Sequence, residues 1–196
     1  MKTLSKILTL GLIISLFPFY GMAENSATHD EGVVINGVRW ATRNVDAPGT
    51  FADNPEDFGG YFQWNKATTE WTVNWIGDDD TEKTWENDPC PDGWRIPTAK
   101  ELDILINTRS TWRRKNGVNG RIFGRRNNTI FLPAGGWADK SGDNIYIFHI
   151  GNFGNYWSNS NHHRTSAIYM AFDRRKTFLF SAYNPHRKYN IRCVAK

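Results

Sequence analysis

Cys90 opens the stretch with the clearest potential for chemistry, CPDGWRIPTAKELDIL at residues 90–105. A cysteine at a turn is a candidate nucleophile, provided that its pKa is lowered and solvent reaches it. The chain has one other cysteine, Cys193. The pair could be two free thiols, one of them catalytic, or the two ends of a single disulfide. This choice decides whether the chain carries thiol chemistry.

The N-terminal residues favour the disulfide because they predict export. Lys2 and Lys6 precede an apolar run, and Gly21-Met22-Ala23 supplies the small residues that a signal peptidase recognises. This pattern is typical of a secretory signal peptide at residues 1–23, with a membrane anchor as the alternative. We therefore expect a protein that does not span the membrane and is secreted or held in the periplasm or cell envelope, where disulfides persist.

The remaining metal-binding and catalytic residue types form no recognisable motif. His162 and His163 are adjacent, and neighbours on a strand point to opposite faces, so they rarely share one metal ion. The run at residues 78–80 lacks the alternating spacing of a calcium loop and is more typical of a solvated turn. A Ser-His-Asp arrangement stays open, although no nucleophile elbow or phosphate-binding glycine motif is present. We predict no catalytic residue, no metal and no cofactor.

Charge is distributed unevenly along the chain. Residues 24–108 hold 17 acidic and 6 basic side chains, whereas residues 109–196 hold 3 acidic and 16 basic ones. The two halves could interleave in space and neutralise each other. Alternatively, the basic half could face an acidic glycan or an anionic cell surface. Export argues against a nucleic-acid partner.

The patterning predicts one α+β domain at residues 33–196 after a flexible leader at residues 24–32. VVINGVRW (33–40) predicts a hairpin around Asn36-Gly37. Thr98 and Glu101 form a capping box that begins a helix, which should fade near Arg109. Residues 46–60 are expected to be a loop, residues 71–89 a long ordered loop rather than a helix, and YFQW (61–64) a short strand. Further short strands are expected at RIFG, TIFLPAGGW, NIYIFHI, NYWS, SAIYMAF, TFLFSAY and NIRCVA.

These pieces resemble, in order, the Fibrobacter succinogenes major paralogous domain. The resemblance rests on VVINGVRWATRNVD, GGYFQWN, CPDGWRIPTAKEL, FLPAGGW, GNYWSNS and NIRCVAK, which span about 160 residues. One departure is Leu102, where the family usually has an aromatic residue. The family is similar to C-type-lectin-like domains and to formylglycine-generating (sulfatase-modifying) enzymes. The resemblance implies few helices and short antiparallel strands with long ordered loops.

The resemblance also implies roles for particular residues. Cys90 and Cys193 correspond to the bridge of the fold, which makes CPDGWRIPT a structural corner. Seven other residues are expected to be structural: Trp94, Arg95, Pro97, Thr98, Glu101, Trp157 and Arg192. The calcium-binding and sugar-binding triplets of true C-type lectins do not occur. Formylglycine-generating enzymes need a reactive cysteine pair, and a bridge would leave no thiol for it.

The segment at residues 138–165 falls where lectin-like domains carry their variable loops. Amides beside aromatic rings suit sugar or peptide surfaces, although asparagines also serve tight turns. The expected ligand-binding residues are Asn152, Asn155, Asn159, Asn161, His162, His163 and Arg164. We expect a non-catalytic binding module for a glycan or a cell-surface protein, active in adhesion or surface assembly. The alternative is a degenerate or unrecognised enzyme of the formylglycine-generating type.

Overall fold

A computed structural model describes residues 26–71, 85–161, 166–182 and 186–196. It contains one helix and twelve strands within those ranges. The helix is α1 (Ala99–Ile106). The strands are β1 (Val33–Ile35), β2 (Val38–Trp40), β3 (Trp94–Arg95), β4 (Ser110–Lys115), β5 (Val118–Arg125), β6 (Asn128–Pro133), β7 (Trp137–Ser141), β8 (Asn144–Phe148), β9 (Gly154–Asn161), β10 (Ala167–Phe172), β11 (Thr177–Ala182) and β12 (Val194–Ala195).

The strands form four small antiparallel sheets. Their orders are β1-β2-β12-β3, β11-β10-β9, β4-β5-β6 and β7-β8. The expectation of few helices and short antiparallel strands is confirmed. The last strand, β12, pairs with β2 on one side and β3 on the other. The end of the described chain is therefore held between its beginning and its middle.

Local sequence signals account for the hairpin and the helix. Asn36 and Gly37 both have positive φ, at 47° and 86°, which the two-residue turn between β1 and β2 requires. Thr98 caps α1: its side chain accepts a hydrogen bond from the N–H of Glu101, whose carboxylate in turn accepts from Thr98 N–H. The buried face of α1 is formed by Leu102 and Leu105.

Several predicted elements differ in the structure. β4 was not predicted, because its run of basic residues is not typical of a strand. YFQW forms only an isolated bridge, from Phe62 to Tyr189, and NIRCVA is a regular strand only at its end. NIYIFHI stops at Phe148, because His149 takes a left-handed backbone at φ 58°. Most of the loop expected at residues 71–89 lies outside the described residues.

The described part of the expected flexible leader is attached to the domain. The carboxylate of Asp30 accepts hydrogen bonds from Gly32 N–H, Thr42 N–H and the Thr42 hydroxyl. The N–H of Phe51 donates to the carbonyl of Ala27. Backbone donors that would otherwise be unpaired are satisfied here, so residues 27–32 are part of the fold.

Two hydrophobic clusters form the core. The first surrounds the disulfide and includes Trp64, Trp94, Trp157 and Ile191. The second lies under α1 and contains mostly aliphatic and aromatic side chains from the hairpin and the central strands: Ile35, Trp40, Leu102, Leu105, Phe123, Ile130, Leu132, Ala134, Tyr156, Met170, Phe172 and Val194. The positions of the loops thus depend more on the packing of aromatic side chains than on hydrogen bonds between strands.

Candidate functional site

The stretch around Cys90 is a structural corner. Cys90 and Cys193 form a disulfide whose Cα atoms lie 6.1 Å apart, and neither is a free thiol. Asp88 holds the corner, since its carboxylate accepts from the N–H groups of Cys90 and Ile96. Burial raises the pKa of Asp88, although these two hydrogen bonds act to lower it. The predicted bridge is therefore confirmed.

The predicted structural residues of the corner contact one another. Arg95 donates two hydrogen bonds to the carboxylate of Glu101, at 2.9 and 2.6 Å. Burial opposes the charge on Glu101, but the bonds from Arg95 and Thr98 outweigh it and hold its pKa below the ordinary value. The carbonyl of Pro97 accepts from Asn159 N–H at 2.8 Å, which ties the corner to β9.

Arg192 is buried at 1 % exposure and binds only protein groups. Its guanidinium donates to the Asn44 side chain at 2.9 Å and to the carbonyls of Ala41 and Phe131 at 3.1 and 3.0 Å. Burial lowers its pKa to about 10, so it stays charged at neutral pH. This arginine joins three loop segments and is not available to a ligand.

The predicted asparagine surface does not come together as one site among the described residues. Asn155 is buried, and its amide donates to the Gly136 carbonyl at 3.0 Å, so a ligand contact is not supported there. Asn159 and Asn161 follow it along β9, and six strand residues span about 20 Å. Asn152 is exposed in the turn before β9. His162, His163 and Arg164 lie outside the described residues.

A cavity of about 740 Å³, lined by described residues, is a basic groove. It forms where the β1–β2 turn, the end of α1 and the β5–β6 turn meet, and Asn36 and Thr108 are hydrogen-bonded across it at 2.8 Å. We call it the arginine groove, after its exposed residues Arg109, Arg125 and Arg126. Its lining contains no carboxylate among the described residues.

The guanidinium groups of the three arginines have no hydrogen-bond or ion-pair partner in the described chain. Other arginines are engaged: Arg95 with Glu101, and Arg187 with Asp139 at 3.2 Å. Arg126 has a φ of 53° because it is the first residue of the two-residue turn between β5 and β6. Unpaired guanidinium groups around a cavity are suited to bind carboxylate or sulfate groups.

A second cavity, of about 390 Å³, contains a buried amine. Lys188 is 2 % exposed, and its Nζ donates to the Thr69 carbonyl and lies 4.8 Å from the Trp71 ring centroid. Burial lowers the pKa of Lys188 to about 8, although Glu70 opposes this. Ile145 and Ile147 line the same cavity. The cavity therefore contains an amine whose pKa, about 8, lies well below the ordinary value for lysine.

We expect the buried Lys188 to make stability increase with pH between about 8 and 10. In this window the folded lysine has lost its proton, while the unfolded one, with the ordinary value of 10.5, keeps it. The unfolded state then binds more protons, so the free energy of unfolding rises with pH. Above about 10, unfolded tyrosines ionise while folded Tyr61, whose pKa burial raises to about 12, does not, and stability falls.

Urea unfolding from about pH 7.5 to about pH 9.5 would measure this rise. Lys188→Met should remove it, whereas Lys100→Met, at an exposed lysine on α1, should keep it. Parallel pH profiles for the protein and Lys188→Met would contradict the assignment.

Sequence reasoning missed both cavities. The only hint of the arginine groove was the excess of basic residues after position 108, and Arg125-Arg126 beside two asparagines was a turn signal within it. Lys188 has no local motif. Within the described ranges, no three His, Cys, Asp or Glu side chains are grouped to hold a metal ion.

Comparison with known proteins adds no relative. No family model, no curated protein and no solved structure matches the chain. Along the described residues, no helix has the length and apolar character needed to cross a membrane.

Proposed function

We propose that this chain is an exported, non-catalytic module that binds an anionic glycan in the arginine groove. The observation that carries the proposal is the set of three exposed arginines, without protein partners, around a cavity of about 740 Å³. A guanidinium matches the two oxygens of a carboxylate or sulfate, and asparagine amides such as Asn36 and Asn128 can bind hydroxyl groups.

The charge distribution supports an anionic ligand over a neutral one. The formal net charge is +4, and the excess lies after position 108, where Arg125 and Arg126 occur. Positive charge around a cavity raises the local concentration of an anionic ligand and its association rate. We place such a ligand at the cell envelope or outside the cell, as the predicted signal peptide implies.

We also propose that the chain is a Fibrobacter succinogenes major paralogous domain with a C-type-lectin-like fold. Support comes from the order of the motifs, from the single capped helix that follows the corner, and from the bridge between that corner and the end of the chain. A bridge of this kind is the feature that the resemblance implied for Cys90 and Cys193.

The alternative, an enzyme of the formylglycine-generating type, has less support. Such chemistry needs reactive thiols, and the only two cysteines of the chain, Cys90 and Cys193, are bonded to each other. An enzyme of that type would require the bridge to be reduced, and Cys193 is fully buried.

The groove is tested by titrating the purified protein with polyuronate, sulfated and neutral oligosaccharides. We expect binding of the anionic ligands that weakens as salt is added, because salt screens exposed charges. Changing Arg109, Arg125 and Arg126 together to Gln should weaken binding by about 100-fold or more, since a hydrogen bond to a charged group is worth about 1.5 to 3 kcal/mol.

The matched control replaces three exposed arginines outside the groove, Arg113, Arg174 and Arg175, with Gln. It removes the same net charge and should weaken binding only a few-fold. Equal losses in the two triple variants would show that net charge alone drives binding and would contradict the groove. Stronger binding of neutral oligosaccharides would contradict the anionic ligand.

A further inference from the structure

The β7–β8 hairpin exposes an unusual amount of apolar surface. Every residue of β8 is exposed, and Ile145, Tyr146, Ile147 and Phe148 are between 41 and 55 % exposed. Ile150 follows at 46 %. Large contiguous apolar patches are rare on monomeric proteins and mark interaction sites.

Among the described residues, the main chain of β8 is also unpaired along its outer edge. Its one partner strand there is β7, from Ser141 opposite Asn144 to Trp137 opposite Phe148. A two-residue turn closes on a hydrogen-bonded pair, and such pairs alternate, so Tyr146 bonds to Asp139 in β7. The N–H and C=O groups of Ile145 and Ile147 therefore point away from β7. No other backbone group of the described chain bonds to them.

We propose that β8 pairs with β8 of a second copy of this chain, antiparallel and centred on Tyr146. In this register Ile145 of each copy lies opposite Ile147 of the other, and the outward main-chain groups of both residues are satisfied. The two hairpins then form a continuous four-stranded sheet. Ile145 and Ile147 occupy one face, and Tyr146 and Phe148 the other.

Two features favour a second copy over an unrelated strand. The sequence around the axis is symmetric, Ile-Tyr-Ile, so a two-fold axis places like side chains together, as an isologous interface requires. In addition, residues 144–148 contain no charged side chain. Exposed edge strands normally carry lysine, proline or a bulge that prevents such pairing, and β8 has none of these.

The amount of surface indicates a reversible dimer. The exposed parts of these five apolar residues sum to roughly 400 Å² per copy. Edge-to-edge pairing leaves both faces of the sheet open, so each copy buries only part of this area, well below the about 800 Å² per partner of a standard stable interface. We expect a dissociation constant on the order of 10 µM.

Sedimentation of the purified protein over a range of about 1 to 200 µM tests the dimer. The protein should convert from monomer to dimer across this range. Ile147→Lys places a charge on the pairing edge and should raise the dissociation constant at least tenfold while leaving the thermal unfolding midpoint unchanged at about 1 µM, where the protein is mostly monomeric. A protein that stays monomeric throughout would overturn the proposal.

Leu179→Lys is the matched control. Leu179 is 36 % exposed on β11, the edge of another described sheet that also carries exposed apolar residues. It should leave dimerisation intact. If Leu179→Lys dissociated the dimer and Ile147→Lys did not, the interface would be on β11 and the proposal would fail. Ile147→Lys should keep the anionic-ligand binding of the arginine groove, so this inference does not depend on that function.

The register has its own test in Tyr146→Cys. Opposed residues that are not hydrogen-bonded have Cα atoms about 4.5 Å apart, which is within disulfide range. Mild oxidation should therefore join two copies of this variant covalently. In this register Phe148 of one copy lies opposite Asn144 of the other, so the Cα atoms of the two Phe148 residues are roughly 13 Å apart. The Phe148→Cys variant should therefore not crosslink. Efficient crosslinking of Phe148→Cys but not Tyr146→Cys would overturn the proposed register.

Discussion

Replacing Trp157 with alanine is expected to lower the free energy of unfolding by about 3 to 5 kcal/mol. Trp157 is fully buried on β9, and its ring lies 4.2 Å from that of Tyr189, centroid to centroid. Its indole N–H donates to the Phe62 carbonyl at 2.7 Å. The substitution would leave a cavity, and the Phe62 carbonyl would keep only its hydrogen bond from Tyr189 N–H, at 3.0 Å.

Urea unfolding would measure this loss, with Trp71→Ala as the matched control. Trp71 is only half-buried and contacts Lys188 from one side, so its replacement should cost about 1 kcal/mol. Trp94→Ala should lower the free energy of unfolding about as much as Trp157→Ala, since Trp94 is 7 % exposed and packs edge-to-face on Phe51. Equal effects at Trp157 and Trp71 would show that the core is placed wrongly. Trp75 lies outside the described residues.

Removal of the disulfide by Cys90→Ser with Cys193→Ser is expected to cost up to about 4 to 5 kcal/mol. The bridge closes a loop of 103 residues, and in the chain-entropy model the loss grows with the logarithm of the loop length. A hydroxyl placed at the buried position 193 adds a further penalty unless it finds a partner.

In denaturant unfolding, the double variant should lose at least as much stability as the reduced protein, which keeps a thiol at the buried position 193. The folded fraction of the variant should keep its binding in the arginine groove, because neither cysteine contacts that cavity. The native protein should not react with iodoacetamide. A titratable thiol, or an activity lost without loss of fold, would instead support the enzyme alternative.

Local signals in the sequence predicted the elements that depend on a few neighbouring residues. The Thr98–Glu101 capping box and the Asn36-Gly37 turn each involve residues within four positions of each other, and both are present. An Asn-Gly turn also connects β4 and β5, where Asn116 and Gly117 have φ values of 45° and 86°. This hairpin was not predicted, because the basic residues of β4 are not typical of a strand.

Features that depend on distant contacts could not be predicted in this way. Arg192 was expected to be structural, but nothing near it in the sequence identified the carbonyls of Ala41 and Phe131 as its partners. The arginine groove joins three segments that are separated along the chain. The pairing of Cys90 with Cys193 was an exception, because two cysteines allow only one intramolecular bridge.

The disulfide also determines how the protein would carry mechanical load. A pull applied to the chain before Cys90 and after Cys193 passes directly through the S–S bond, so the residues between the cysteines cannot be extended. The groove arginines Arg109, Arg125 and Arg126 all lie inside this covalent loop. Force can unravel the hairpin and the loops before Cys90, and it can shear β12 from β2, whereas the three arginines stay inside the covalent loop. Tension would therefore remove Asn36 and the β1–β2 turn from the groove and leave its arginines in place, so that load would weaken ligand binding before the arginine-bearing segment is extended.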